Sequence, residues 1–257
     1  MLSSIPNSDA LNWVIGPAGQ CVTLVGEETR IASILMRAIV ALAKQGPLLE
    51  LTRREFRRNN QSEVAINKLL LEQSGLAEWA EEIISNDYDP INRHGIIGLW
   101  VAVEVAVEDT AVLILSKDTN AVTKVKRAGI KLPKSRSKPP PELEARRIYK
   151  RLETHARSGQ SVSEGYRVLM SVLEVELTIP SETSVILSEL NYVRNCLMHR
   201  AGIADEKSSQ EAPRLGLSIG EPIKIGSKQY LRYFDAVTQF AQALLNGVMS
   251  SRYVQTQ

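Results

Sequence analysis

The sequence of 257 residues has few of the residue types that build metal centres and disulfide frameworks. It contains two cysteines and three histidines, and Cys21 and Cys196 are too far apart to match a zinc-ligand spacing. We therefore predict no metal site and no cofactor. Two widely separated cysteines also favour a reduced, intracellular protein.

Long apolar runs, targeting signals and common nucleotide-binding motifs are also lacking. The longest apolar run, residues 98–107, contains Glu104 and is too short to span a bilayer. The N-terminus lacks the basic start and apolar core of a secretory signal. The segments GPAGQ and GLSIG lack the lysine or the strand–helix context of a phosphate-binding loop. These absences predict a cytoplasmic protein without a membrane segment.

Composition and periodicity indicate a mainly helical globular protein. Hydrophobic residues make up 44% of the chain and charged residues 23%, with a net charge of +2, which is ordinary for a globular protein. Apolar residues recur at steps of three and four in the first part of the chain, which predicts an amphipathic helix. They are Ile31, Leu35, Ala38, Ile39 and Leu42. The preceding run CVTLVG, residues 21–26, is typical of a short β-strand.

The segment NDYDPINRHG, residues 86–95, predicts a loop and a domain boundary because of its Asn, Asp, Pro and Gly content. We assign residues 1–92 to an N-terminal, mostly helical region of unknown role and residues 93–257 to a helical domain. The run after the loop is apolar on nearly every side, which predicts a central buried helix. The predicted fold is mainly α, a helical bundle with a small β-hairpin around Gly220 and an additional N-terminal helical region.

A basic segment follows the predicted central helix. Residues 124–151 contain eleven lysines and arginines against two glutamates, a charge of +9, and residues 131–141 are predicted to form a Pro-rich loop. Such a segment can bind a phosphate backbone, although lysines in a Pro-rich loop are often only solvated. No aromatic residues alternate with the cations, so any RNA binding should tolerate different sequences. The candidate RNA-binding residues are Lys124, Lys126, Arg127, Lys131, Lys134, Arg136 and Lys138, together with Arg200 farther along the chain.

The stretch LNYVRNCLMHRAG, residues 190–202, places three polar side chains among apolar ones. On a helix, Asn195 and His199 are four residues apart and share one face. Arg194 is rotated from His199 by about 140° around the axis, close enough for its long side chain to reach the edge of that face. These three residues are the candidate catalytic set. The alternative is a polar cluster at a helix end, where a histidine cation interacts well with the helix dipole.

The three side chains suit metal-independent chemistry on a phosphodiester. Histidine side chains exchange protons near neutral pH, and arginine offers a planar, always charged fork to phosphate oxygens. Asn195 has a donor and an acceptor that could orient His199 or a ribose. RNA supplies its own nucleophile, the 2′-hydroxyl, so neither metal nor cofactor is needed.

The motif VRNCLMHRAG resembles the signature of the HEPN superfamily (higher eukaryote and prokaryote nucleotide-binding). In that signature an arginine is followed by a polar residue and, a few mainly apolar residues later, by a histidine. Arg194, Asn195 and His199 match it position by position. The apolar run 99–115 resembles the early helix of the family, in which an acidic residue lies in an apolar face; Glu104 or Glu108 would be that residue. Arg200 departs from the asparagine that relatives often have there.

The resemblance covers about residues 93–250 and implies a specific function. HEPN domains are small helical bundles that commonly form dimers in which two copies of the motif line one cleft. Active members are metal-independent endoribonucleases that leave 2′,3′-cyclic phosphate ends, and many act as toxins or in antiphage defence. The resemblance therefore implies RNA as substrate, a homodimer, and an antitoxin or sensor protein as a possible partner. Other members keep the fold without cutting, so a non-catalytic protein- or nucleotide-binding module is the alternative.

Overall fold

The structure is a computed structural model that describes residues 13–45, 48–49, 51–52, 54–55, 63–133, 139–158 and 161–255. It is mainly helical, which confirms the predicted class. The long helices are α1 (Ile15–Ala43), α2 (Glu63–Ser85), α3 (Asp89–Lys117), α4 (Thr119–Arg127), α5 (Pro141–Ala156), α6 (Val162–Val172), α7 (Ser181–His199) and α8 (Ser227–Met249). Shorter helical turns cover Ser208–Glu211, Pro213–Leu215 and Arg252–Gln255. None of the helices described here is long and apolar enough to cross a membrane.

Helix α3 lies at the centre of the bundle, as its nearly all-round apolar sequence predicts. Leu99, Trp100, Val103 and Ile114 are completely buried, and α1, α5, α7 and α8 all pack against the helix. Burying one such side chain stabilises a fold by about 1.5–3 kcal/mol relative to leaving it exposed. The core therefore forms around α3, and the other helices are placed by their contacts with it.

The N-terminal run 21–26 is helical, so the predicted β-strand is wrong. Ala18, Cys21 and Val25 are buried at helical spacing on one face of α1, and they belong to the same core as α3. β-Branched residues lower helix propensity only slightly, so burial of the apolar face outweighs their preference for strands. Farther along, α2 packs on the second half of α1, where Ile39 joins Ala80 and Ile83 in a small separate cluster.

The predicted loop at residues 86–95 is much shorter in the structure, because α3 begins at Asp89. Asp87 and Tyr88 make the turn with left-handed φ values of 53° and 59°. Pro90 lies in the first helical turn, where its missing N–H costs nothing. The division of the chain at residue 92 remains a prediction, although α3 runs through it and α1 shares the core of the later helices.

The predicted β-hairpin around Gly220 is not present among the described residues. Gly220 does make a turn with a φ of 86°, but the segment after it pairs with the loop that follows α7. The Ala204 N–H donates to the Glu221 carbonyl at 2.9 Å, and the Ile223 N–H donates to the Gly202 carbonyl at 2.8 Å. The apolar residues after the turn, Ile223 and Ile225, are buried in the main core, so they pack on distant parts of the bundle and do not form a local hairpin.

A buried carboxylate on α7 ties this helix to α8. The Glu189 side chain is 1% exposed, and its Oε1 accepts hydrogen bonds from the Tyr233 hydroxyl and the Gln229 amide, both at 2.7 Å. Arg232 forms an ion pair with the same carboxylate. Burial, followed by the neighbouring Glu189 charge, raises the pKa of Tyr233, so its hydroxyl stays protonated and donates.

We expect Glu189→Ala to lower the free energy of unfolding by about 2–4 kcal/mol, because it leaves the half-buried Arg232 and the buried Tyr233 hydroxyl without their acceptor. Equilibrium urea denaturation measures this loss. The control is Glu182→Ala on the same helix, which removes a carboxylate that pairs with Arg214 in an exposed position. If the two variants lost stability equally, Glu189 would not be the tie between α7 and α8.

Candidate active site

One face of α7 carries a row of polar side chains that line a cavity. Asn191, Asn195 and His199 follow each other at four-residue steps, which places them one helical turn apart on one face. The cavity has a volume of about 430 Å³. The rest of its lining comes from α7 itself and from the segment after it: Tyr192, Cys196, Arg200, Asp205, Lys207 and Glu211.

Arg194 lies beside this face and points towards α3. Its Nη2 donates to Glu104 Oε2 at 3.3 Å, which also makes an ion pair between the two helices. Its Nη1 donates to Asn195 Oδ1 at 3.0 Å. The Arg194 side chain is 21% exposed and is absent from the cavity lining. Arg194 is thus connected to the cavity through Asn195.

His199 is the last residue of α7 and is exposed. Within the described residues its imidazole makes no hydrogen bond to another protein group, so the ring is free to contact a ligand. The structure therefore places Asn195 and His199 in one cavity and Arg194 against Asn195.

The loop after α7 forms a second wall of the cavity and is fixed to the helix. The Asp205 N–H donates to the Tyr192 hydroxyl at 3.0 Å, and the Asp205 carboxylate forms an ion pair with Arg200. Gly202 has a φ of +76° in this loop, and a Cβ there would collide with the Arg93 guanidinium. The left-handed backbone favours glycine at 202, whereas the Arg93 guanidinium is the end of a flexible side chain that could move aside.

Five of the eight predicted RNA-binding residues lie in the described part of the chain, and two of these five have acidic partners. Lys124 pairs with Glu174, and Arg200 pairs with Asp205, so both cations already have acidic partners. Lys126, Arg127 and Lys131 are exposed. The remaining candidates, Lys134, Arg136 and Lys138, lie outside the described residues. Lys124 and Arg127 line a cavity of about 210 Å³ that shares no residue with the cavity on α7.

The sequence left Glu104 and Glu108 as equal candidates for the acidic residue of the buried helix, and the structure distinguishes them. Glu104 contacts Arg194. Glu108 accepts a hydrogen bond from Arg146 of α5 at 2.7 Å, and Arg146 is also close to Asp109 and Glu142. Glu104 alone is therefore linked to the candidate site.

Asn191, Tyr192 and Lys207 are cavity residues that sequence reasoning missed. The spacing could have indicated Asn191, because it lies four residues before Asn195 and therefore shares its helix face. Tyr192 and Lys207 had no such signal, since their place in the wall depends on how the loop after α7 folds back.

No protein-family model, curated protein or solved structure matches the chain in sequence or structure comparisons. Within the described ranges, no group of three or more histidine, cysteine, aspartate or glutamate side chains is placed to hold a metal ion.

We expect Tyr192→Phe to loosen the loop after α7 by removing the acceptor of the Asp205 N–H. A net loss of about 1 kcal/mol is typical of one such hydrogen bond, so the Asp205 amide should exchange with solvent several times faster. Hydrogen exchange followed by NMR measures this rate. Tyr88→Phe is the control, because the Tyr88 phenol makes no hydrogen bond in the described structure. Unchanged Asp205 exchange in Tyr192→Phe would mean that the phenol does not hold the loop.

Proposed function

We propose that this chain is a metal-independent endoribonuclease of HEPN type that cuts RNA to 2′,3′-cyclic phosphate ends. One observation carries the proposal: Asn195 and His199 line one cavity while Arg194 hydrogen-bonds to Asn195 at 3.0 Å. These are the three residues that match the superfamily motif. Their side-chain chemistry is what cleavage of a ribose phosphodiester requires.

In the proposed reaction the 2′-hydroxyl oxygen attacks the adjacent phosphorus and the bond from phosphorus to the 5′-oxygen breaks. The 2′-hydroxyl loses its proton to a base, and the leaving 5′-oxygen gains one from an acid. The exposed imidazole of His199 performs one of these transfers. Asn195 orients the ribose or the imidazole through its amide group, and an arginine fork stabilises the charge on the phosphate oxygens in the transition state.

The position of Arg194 favours a homodimer as the active form. Within one chain its guanidinium faces Glu104 and lies outside the cavity that contains His199. A two-fold axis beside α7 would bring Arg194 of one copy towards His199 of the other. We therefore propose that two copies of the motif line one cleft.

The biological role is proposed from the resemblance. We infer a cytoplasmic toxin or an effector of antiphage defence or stress response, controlled by an antitoxin or sensor protein. Exposed cations such as Lys126, Arg127 and Lys131 would add sequence-independent attraction for the RNA backbone.

A non-catalytic HEPN-like module that binds a protein or a nucleotide is the second candidate. The ion pair between Arg194 and Glu104 favours it, because this contact joins α7 to α3 and gives the arginine a structural role. In that case Arg194→Ala would lower stability, and the wild-type protein would not cut RNA.

We expect His199→Ala to reduce RNA cleavage by about a hundredfold to ten-thousandfold, the usual contribution of a general acid or base. Cleavage is measured on a labelled RNA in the presence of EDTA, with the ends checked for cyclic phosphate. His94→Ala is the control, since His94 is also exposed but lies at the start of α3. Full activity in His199→Ala, or equal losses in both variants, would contradict the proposal.

The homodimer makes a separate prediction. His199→Ala and Arg194→Ala proteins should each be inactive, and mixing them should restore part of the activity, because a mixed dimer contains one intact arginine and one intact histidine. Activity is followed after subunit exchange, with light scattering to establish the oligomeric state. A monomer with full activity would overturn the shared cleft.

A further inference from the structure

Asn191 lies in the cavity of α7 but outside the motif that suggested the function. It precedes Asn195 by one helical turn and His199 by two, a separation from His199 of about 12 Å along the helix axis. Its side chain is half-buried and lines the cavity. The row of polar side chains therefore extends along α7 well beyond His199, the residue proposed to act at the phosphate.

The amide groups of this row have unused hydrogen-bonding capacity. Asn195 Oδ1 accepts from Arg194, which fixes the amide orientation and leaves its NH₂ group available. The Asn191 amide makes no hydrogen bond to protein in the described residues, so both its donor and its acceptor are available in the cavity. An amide pairs well with a flat group that offers an acceptor next to a donor.

The cavity combines neutral amides with charged side chains. Asn191 and Asn195 are neutral, whereas the segment after α7 contributes two cations, Arg200 and Lys207, and two carboxylates, Asp205 and Glu211. Arg200 is paired with Asp205, and Lys207 makes no ion pair among the described residues, so Lys207 is the cation that a phosphate could meet while the amides face a base. The volume of about 430 Å³ is in the usual range for a site that binds one small ligand.

Recognition at the Asn191 end of the cavity relies on hydrogen bonds. Tyr192 is 3% exposed and offers no ring face to a base, and the lining groups that could stack, His199 and Arg200, lie at the other end of the row. Stacking tolerates any base, whereas hydrogen bonds to the base edge discriminate among them. A side chain that contacts the base here would therefore impose a sequence preference.

We propose that Asn191 recognises the base of the nucleotide next to the cleaved phosphate, and that this base is adenine. The side-chain amide of asparagine pairs with the adjacent amino donor and ring-nitrogen acceptor of adenine. This inference rests on the proposed function, and it names the specificity-determining residue and the substrate: single-stranded RNA with an unpaired adenosine.

The test compares cleavage of four short single-stranded RNAs that differ only in the base 5′ to the cleaved phosphate, in the presence of EDTA. The wild-type protein should cut the adenosine substrate fastest. Asn191→Ala should slow that substrate by about fivefold to a hundredfold, the range for one good pair of hydrogen bonds to a base. The other three rates should change little. Asn246→Ala is the matched control, because Asn246 is an exposed asparagine on α8.

Failure of this inference can be distinguished from failure of the proposed function. If the wild type cuts all four RNAs equally, or if Asn191→Ala keeps the adenosine preference, the assignment of Asn191 is wrong while the ribonuclease stands. If the wild type cuts none, calorimetric titration with adenosine 3′-monophosphate and with ribose 5-phosphate decides. Binding of the adenine nucleotide alone, weakened by Asn191→Ala, would support the base site, and equal or absent binding of both would overturn it.

Discussion

The burial of α3 on nearly every side is the constraint on which the rest of the structure depends. Each helix packed against it has to turn an apolar face inward, and α7 does so with Leu187, Leu190 and Val193. Once this face is fixed, the row from Asn191 to His199 lies beside it, and the segment after α7 supplies the other wall of the cavity. The core thus determines where polar chemistry can occur on α7.

Glu104 is one of the partly exposed acidic residues of α3, and it connects the core to the site. Its carboxylate is 34% exposed and is neutralised by Arg194, whose other nitrogen orients Asn195. The same guanidinium therefore balances an acidic group on the central helix and restrains an amide in the cavity. A phosphate that needed this charge would have to compete with Glu104 in whichever copy supplies the arginine. The proposal of a dimer rests instead on the position of Arg194 outside the cavity that contains His199.

Periodicity was sufficient to predict the central helix and α7, because their apolar residues are buried by neighbours along most of their length. It failed at residues 21–26 and around Gly220, because the residues that bury these apolar side chains are distant in the sequence. The motif predicted that Asn195 and His199 would share a face. The pairing of Arg200 with Asp205 and the cavity wall at Lys207 depend on the loop fold, so neither was predictable.

The most direct test is to observe where RNA binds. A short RNA with its 2′-hydroxyls methylated cannot be cut, and its titration can be followed by NMR of histidine ring and asparagine side-chain resonances in EDTA. We expect the resonances of His199, Asn195 and Asn191 to shift together and saturate, while those of His94 stay unchanged. If only the backbone resonances of the basic α4 helix shifted, or none did, the cavity of α7 would not be the RNA site.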